Sequence, residues 1–129
     1  MGKEIIISII IIIGIFIGNI VTQNYTSKSI NLIGETLEEL RTELAKDELE
    51  KEKTENTIKK IDHQWEEMHN KMAYYIEHDE LEKVETNLIA LKSFCESEEY
   101  ADAISELDKS VFVLQHIENK NSFNWQNIF

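Results

Sequence analysis

The sequence predicts an all-α chain, in which one N-terminal transmembrane helix is followed by an antiparallel four-helix body made of two αα-hairpins. Three observations carry this. The stretch from Ile5 to Val21 holds eleven isoleucines in seventeen residues and no charge. Beyond Val21 there is no proline and only one glycine, Gly34, a composition that permits long helices and disfavours a turn-rich β fold. Apolar residues then recur at spacings of three and four in successive runs, the periodicity of one helix face.

Residues 1–21 read as a membrane anchor. At 1.5 Å per residue the apolar stretch covers about 26 Å, near the short limit for a hydrocarbon core of about 30 Å, and its isoleucines favour insertion by about 5 kcal/mol. A signal peptide shares the short positive start and apolar centre, but Gly18-Asn19-Ile20-Val21-Thr22-Gln23 offers only poor matches to a cleavage site. Lys3 before the span, weighed with Lys28 and Arg41 after it, gives a cytoplasmic N-terminus and an extracytoplasmic body. Gly14 and Gly18 form a small-xxx-small pair through which two spans can pack.

Residues 22–29 are polar and aperiodic and read as a tether, and residues 30–129 as the extracytoplasmic helical domain. Ile30, Ile33, Leu37, Leu40 and Leu44 make the first stripe. Ile58, Ile61, Trp65, Met68, Met72 and Tyr75 repeat it in the same heptad frame. Leu81, Val84, Leu88, Leu91 and Cys95 form a third, and Tyr100, Ile104, Leu107, Val111 and Leu114 a fourth. Helix starts are expected at Asp47 with Glu50, at Asp79 with Glu82, and at Ser97 before Glu98 and Glu99, where an oxygen can accept unpaired amides of a first turn. Trp65, Leu88, Leu91, Leu107 and Leu114 are the expected core.

A faint repeat supports the pairing into hairpins. Leu37, Leu40, Leu44, Asp47 and Leu49 match Leu88, Leu91, Cys95, Glu98 and Tyr100, each pair 51 positions apart, so turns are expected at Ala45 to Asp47 and at Glu96 to Ser97. The alternative is one long helix packing on a shorter hairpin, because the polar run from Lys46 to Thr57 has no glycine or proline to enforce a turn.

With 25 acidic against 13 basic residues the net charge is −12, and nearly all of it lies on the body. Nucleic acid and anionic headgroups would each meet a surface of their own sign, so neither is an expected partner. Cys95 stands alone, which excludes an internal disulfide and a thiolate zinc site.

Trp65, His78-Asp79-Glu80-Leu81, Leu88, Leu91, Glu106-Leu107, His116-Ile117 and the closing Asn127-Ile128-Phe129 give the chain a likeness to a bacterial family. It resembles the domain-of-unknown-function family 4363, short anchored proteins mainly of clostridia and related spore-formers. The resemblance covers the anchor and roughly Leu37 to Phe129, and it implies no activity. Family members often carry a second tryptophan one heptad after the first and an aromatic at the start of the second helix; Met72 and Leu49 hold those places here.

Catalytic chemistry finds few footholds. Glu66 and His69 have the Glu-x-x-His spacing of carboxylate di-iron bundles, but no other histidine follows a glutamate at that spacing, so a solvated helix surface is the better reading. His78 and His116 are expected at the same end of the bundle, where a carboxylate such as Glu80 would complete a minor metal site; a histidine bonded to a helix end is the commoner arrangement. No glycine-rich phosphate loop, Ser-His-Asp series or cysteine-nucleophile motif is present. The expectation is therefore no enzyme and no cofactor. The chain reads as an interaction module that binds or positions another membrane or envelope protein, or else as a coiled-coil scaffold like short bitopic cell-division proteins. Phe123, Trp125, Ile128 and Phe129, in an apolar tail at residues 122–129 without a helical stripe of its own, are expected to close the end of the bundle or to dock on lipid or a partner.

Overall fold

The computed structural model describes the backbone of residues 2–128 and the side chains of residues 2–122. Four helices follow one another: α1 (Gly2–Leu44), α2 (Lys51–Met72), α3 (His78–Glu96) and α4 (Tyr100–Ile128). α1 contains the apolar segment and the first core helix without a break. At 1.5 Å per residue it is about 65 Å long. Along its first half Ile5, Ile6, Ile7, Ile9 to Ile13, Ile15, Ile17, Ile20 and Val21 are all exposed. This helix is long and apolar enough to cross a membrane.

The second half of α1 carries the bundle. Close backbone approaches join α1 to α2, α1 to α4 and α3 to α4. The helices alternate in direction, so one end of the body adjoins the apolar half of α1, here the proximal end, and the other is distal. The core is built from Ile30, Ile33, Leu37, Leu40 and Leu44 of α1, Ile61, Trp65, Met68 and Met72 of α2, Leu81, Val84, Leu88 and Leu91 of α3, and Ala103, Leu107, Leu114 and Ile117 of α4. In α4 the fully buried face is turned from the expected stripe. Ala103, Ser110 and Ile117 are buried, while Tyr100, Ile104 and Val111 are only half-buried, because the small side chains let α4 approach its neighbours closely.

Residues 22–29 are helix rather than tether. Thr26 and Ser29 are buried and continue the stripe of Ile30 and Ile33 toward the N-terminus, with small hydroxyl side chains in place of aliphatic ones. The Thr26 hydroxyl donates to the Thr22 carbonyl at 2.7 Å, which satisfies it without breaking the helix. The C-terminal residues likewise belong to a regular element, since α4 runs to Ile128.

The hairpin turns fall close to their expected places, but by different chemistry. Residues 45–50 separate α1 from α2, which excludes a continuous helix from Ile30 to Tyr75. Asp47 does not cap α2; the N-cap is Glu50, whose own side chain makes no capping bond. Instead the buried Glu43 carboxylate, reaching from the last turn of α1, accepts the Glu50 N–H at 3.0 Å and a bond from Lys46 Nζ at 2.7 Å. Glu77, not Asp79, is the N-cap of α3, which leaves Asp79 in the first turn where its charge complements the helix dipole. Ser97 ends α3 rather than starting α4. Glu98 follows at φ 60, with its N–H donating to Cys95 O and that of Glu99 to Phe94 O, a Schellman closure with glutamate in the left-handed position usually given to glycine.

Candidate functional site

The proximal end is where the polar residues of α1 are put to use. Tyr75, in the turn between α2 and α3, brings its hydroxyl within 2.7 Å of Thr26 Oγ1 and donates to the Thr22 carbonyl at 3.4 Å. Burial pushes the phenol pKa up, against the lowering effect of the Thr26 bond. On the other flank of α1, Gln23 Nε2 donates to Ser122 Oγ at 3.1 Å and Ser27 Oγ to Glu118 Oε1 at 3.2 Å. Lys71 Nζ lies 5.1 Å from the centre of the Tyr25 ring. Thr22, Gln23, Thr26 and Ser27 thus lock α2 and α4 onto α1 just beyond the apolar segment.

His78 and His116 both lie at this end but do not share a site. His78 is exposed and 3.9 Å from Glu82, whereas His116 Nε2 is 3.4 Å from Glu80 Oε1. The nearly buried Glu80 also faces Lys120 at 3.5 Å, and Lys120 bonds Glu77 at 3.1 Å. A lysine ammonium therefore already provides the positive charge that a metal would bring. Among the described residues no group of three His, Cys, Asp or Glu is placed to hold an ion. The side chains of Phe123, Trp125, Ile128 and Phe129 lie outside the described residues.

A second feature lies between α2 and α3. These helices meet through side chains, with Lys92 Nζ bonded to Asp62 at 3.0 Å, and they leave a groove lined by Trp65, Glu66, His69, Glu85, Leu88 and Ile89. Trp65 is buried at its floor with the His69 ring edge-on at 5.7 Å, and its indole N–H has no acceptor among the described residues. Ile89 stands on the rim, 65% exposed. Glu66 and His69 both line this groove. Leu88 is buried in it, and Leu91, Leu107 and Leu114 lie in the shared core.

At the distal end the members of the faint repeat converge, since Leu49, Cys95 and Tyr100 line one small cavity of about 120 Å³ beside the Lys51–Glu98 ion pair. Burial there pushes the Cys95 thiol from 9.0 up to about 11, which keeps it protonated and unreactive near neutrality.

Sequence periodicity does not point to Glu43, Tyr74 or Lys120, because none of them falls on an apolar stripe; Tyr75 ends the second stripe, but the bonds of its hydroxyl do not follow from that place. Thr26 and Ser29 were within reach, since they keep the phase of Ile33 and Leu37.

No curated protein and no solved structure matches the chain. The family described as domain of unknown function (DUF4363) matches residues 20–128, a span that takes in the proximal hydrogen bonds, all four body helices and the groove, and the chain belongs to that family.

Proposed function

We propose that this protein is a single-pass membrane protein whose helical body binds or positions another membrane or envelope protein, with the N-terminus cytoplasmic and the body outside. The observation that carries this reading is the unbroken α1, in which an exposed apolar segment passes directly into the core of the bundle. A flexible tether would let the body wander, whereas a continuous helix fixes its height and tilt relative to the bilayer. Such an arrangement suits a module that presents one face to a neighbour. Gly14 and Gly18, one turn apart on the span, allow a second copy to pack there.

The groove between α2 and α3 is the face we assign to the partner. It offers Leu88 and Ile89 between an acidic rim of Asp62, Glu66 and Glu85, offset by Lys92 alone. Its complement is a partner helix with an apolar stripe and basic flanks. A photo-crosslinking residue at Ile89 in intact cells tests this, with the distal-turn residue Glu48 as control. One discrete adduct from Ile89, absent from Glu48 and lost when Glu66 and Glu85 are changed to lysine, supports the reading; no adduct, or equal adducts at both positions, overturns it. Protease added to cells stripped of wall should digest the body and spare cytoplasmic controls.

The coiled-coil scaffold reading has no comparable support, because the helix it requires is interrupted at residues 45–50.

A further inference from the structure

Tyr74 is 91% exposed, the most exposed large hydrophobic side chain among the described residues of the body. It sits in the turn at residues 73–77, and the next residue, Tyr75, is bonded to Thr22 and Thr26 of α1. Because α1 is one helix, sequence distance along it converts directly into height. Thr22 and Thr26 lie about 1.5 and 7.5 Å beyond Val21, the last residue of the apolar segment. The headgroup zone on each side of a bilayer is about 5 to 8 Å thick. With α1 along the bilayer normal and Val21 at the edge of the hydrocarbon, the turn that carries Tyr74 falls within that zone.

Resting on the membrane-anchored reading above, we infer that the α2–α3 turn is a membrane-contact foot, with Tyr74 seated among the headgroups of the bilayer that holds α1. Tyrosine suits this place because its ring is apolar and its hydroxyl polar, the property that enriches it at membrane interfaces. Tyr25 beneath Lys71 lies at the same level, so two phenol rings flank the emerging span. The charges around the foot are mixed: Lys28, Lys71 and Lys120 are set against Glu77, Asp79 and Glu80. The contact accordingly needs no anionic lipid, and zwitterionic phospholipid is its ligand. The foot and the span together give the body two attachments to one surface, which restrains its tilt and holds the α2–α3 groove at a constant orientation.

The test uses the full chain in phosphatidylcholine vesicles, with Cys95→Ala removing the native thiol. Single cysteines replace Ile13, Glu48 or Tyr74 and carry a nitroxide label, and the accessibility of each label to oxygen and to a water-soluble nickel complex is read by electron paramagnetic resonance. All three positions are exposed, so labelling leaves the core intact. The expected result is a high oxygen-to-nickel ratio at Ile13, a low one at Glu48, and at Tyr74 a value several-fold above Glu48. A Tyr74 ratio equal to that of Glu48, with Ile13 still in lipid, overturns the foot and leaves the anchor standing. Water-like behaviour at Ile13 overturns the anchor and the foot with it. An interfacial value at Tyr74 that appears only after phosphatidylglycerol is added overturns the assignment to zwitterionic lipid.

Discussion

The carboxylate of Glu43 accepts the backbone N–H of Glu50 at 3.0 Å, joining the last turn of α1 to the N-cap of α2. This bond marks where a heptad frame shared by both helices is interrupted. No glycine or proline enforces the break; a buried acid that accepts from Glu50 N–H and Lys46 Nζ stabilises it, with Lys53 Nζ 3.6 Å away.

The first prediction follows from that carboxylate. Its pKa is held below the usual value of 4.5, chiefly by the Lys46 hydrogen bond and then by the Glu50 N–H. A depressed folded-state pKa means that its stabilisation is complete above the ordinary carboxylate range and is lost as pH falls through the lower folded value. Glu43→Gln should lower the melting temperature at pH 7 and reduce the difference in melting temperature between pH 7 and pH 3. Thermal unfolding followed by circular dichroism at both pH values checks it; an unchanged pH difference would mean that the break does not depend on this charge.

A second prediction concerns the lock between Tyr75 and Thr26. Tyr75→Phe should cost about 1 kcal/mol, the net worth of one intramolecular hydrogen bond, and Thr26→Val a similar amount or more because the half-buried phenol loses its shortest partner. The double variant should cost less than the two added together. Denaturant titration of the four proteins in detergent measures the coupling, and strict additivity would show that the two hydroxyls do not act as a pair.

Trp65 is buried where α2 faces both the core and the groove, so Trp65→Ala should destabilise the body by about 3 to 5 kcal/mol. Trp65→Phe should cost less, since it keeps most of the buried area and removes an indole N–H without an acceptor. A loss below about 1 kcal/mol for Trp65→Ala would place this side chain outside the cooperative core.

The apolar stripes were legible because core burial and helical period act together over many residues. Ile30 to Leu44 and Leu81 to Leu91 are read directly, and their phase identifies which side faces inward. Helix ends were less legible, because a cap is one oxygen that any nearby acid can supply. Asp47, Asp79 and Ser97 each have the right chemistry, yet Glu50, Glu77 and the left-handed Glu98 occupy the terminal positions, with Glu43 reaching across from another helix. Residues 22–29 look like a tether because hydroxyl side chains do not register as a stripe. Packed between helices they serve as one, bonding within α1 and across to the α2–α3 turn and α4. The groove arises from the spacing between α2 and α3, a quantity that no single helix pattern encodes.

The last prediction concerns Trp125. Ser122 is bonded to Gln23, and α4 continues to Ile128 antiparallel to α1. Six residues at 1.5 Å carry α4 about 9 Å past Ser122, to the level of the last turn of the apolar segment, between Ile17 and Val21. On the membrane-anchored reading proposed above, Phe123, Trp125 and Ile128 belong to a helix end at the boundary between headgroups and hydrocarbon, where tryptophan is enriched. In a Trp65→Phe background, Trp125 is the sole tryptophan of the full chain. In vesicles of brominated phosphatidylcholine its fluorescence should be quenched, more strongly by bromines near the glycerol end of the acyl chain than by bromines near the methyl end. In a Trp125→Phe background, Trp65 should escape quenching, because it is enclosed by the body well beyond the span. Equal, weak quenching of both tryptophans would place the end of α4 in water and leave the tail to act on the bundle alone.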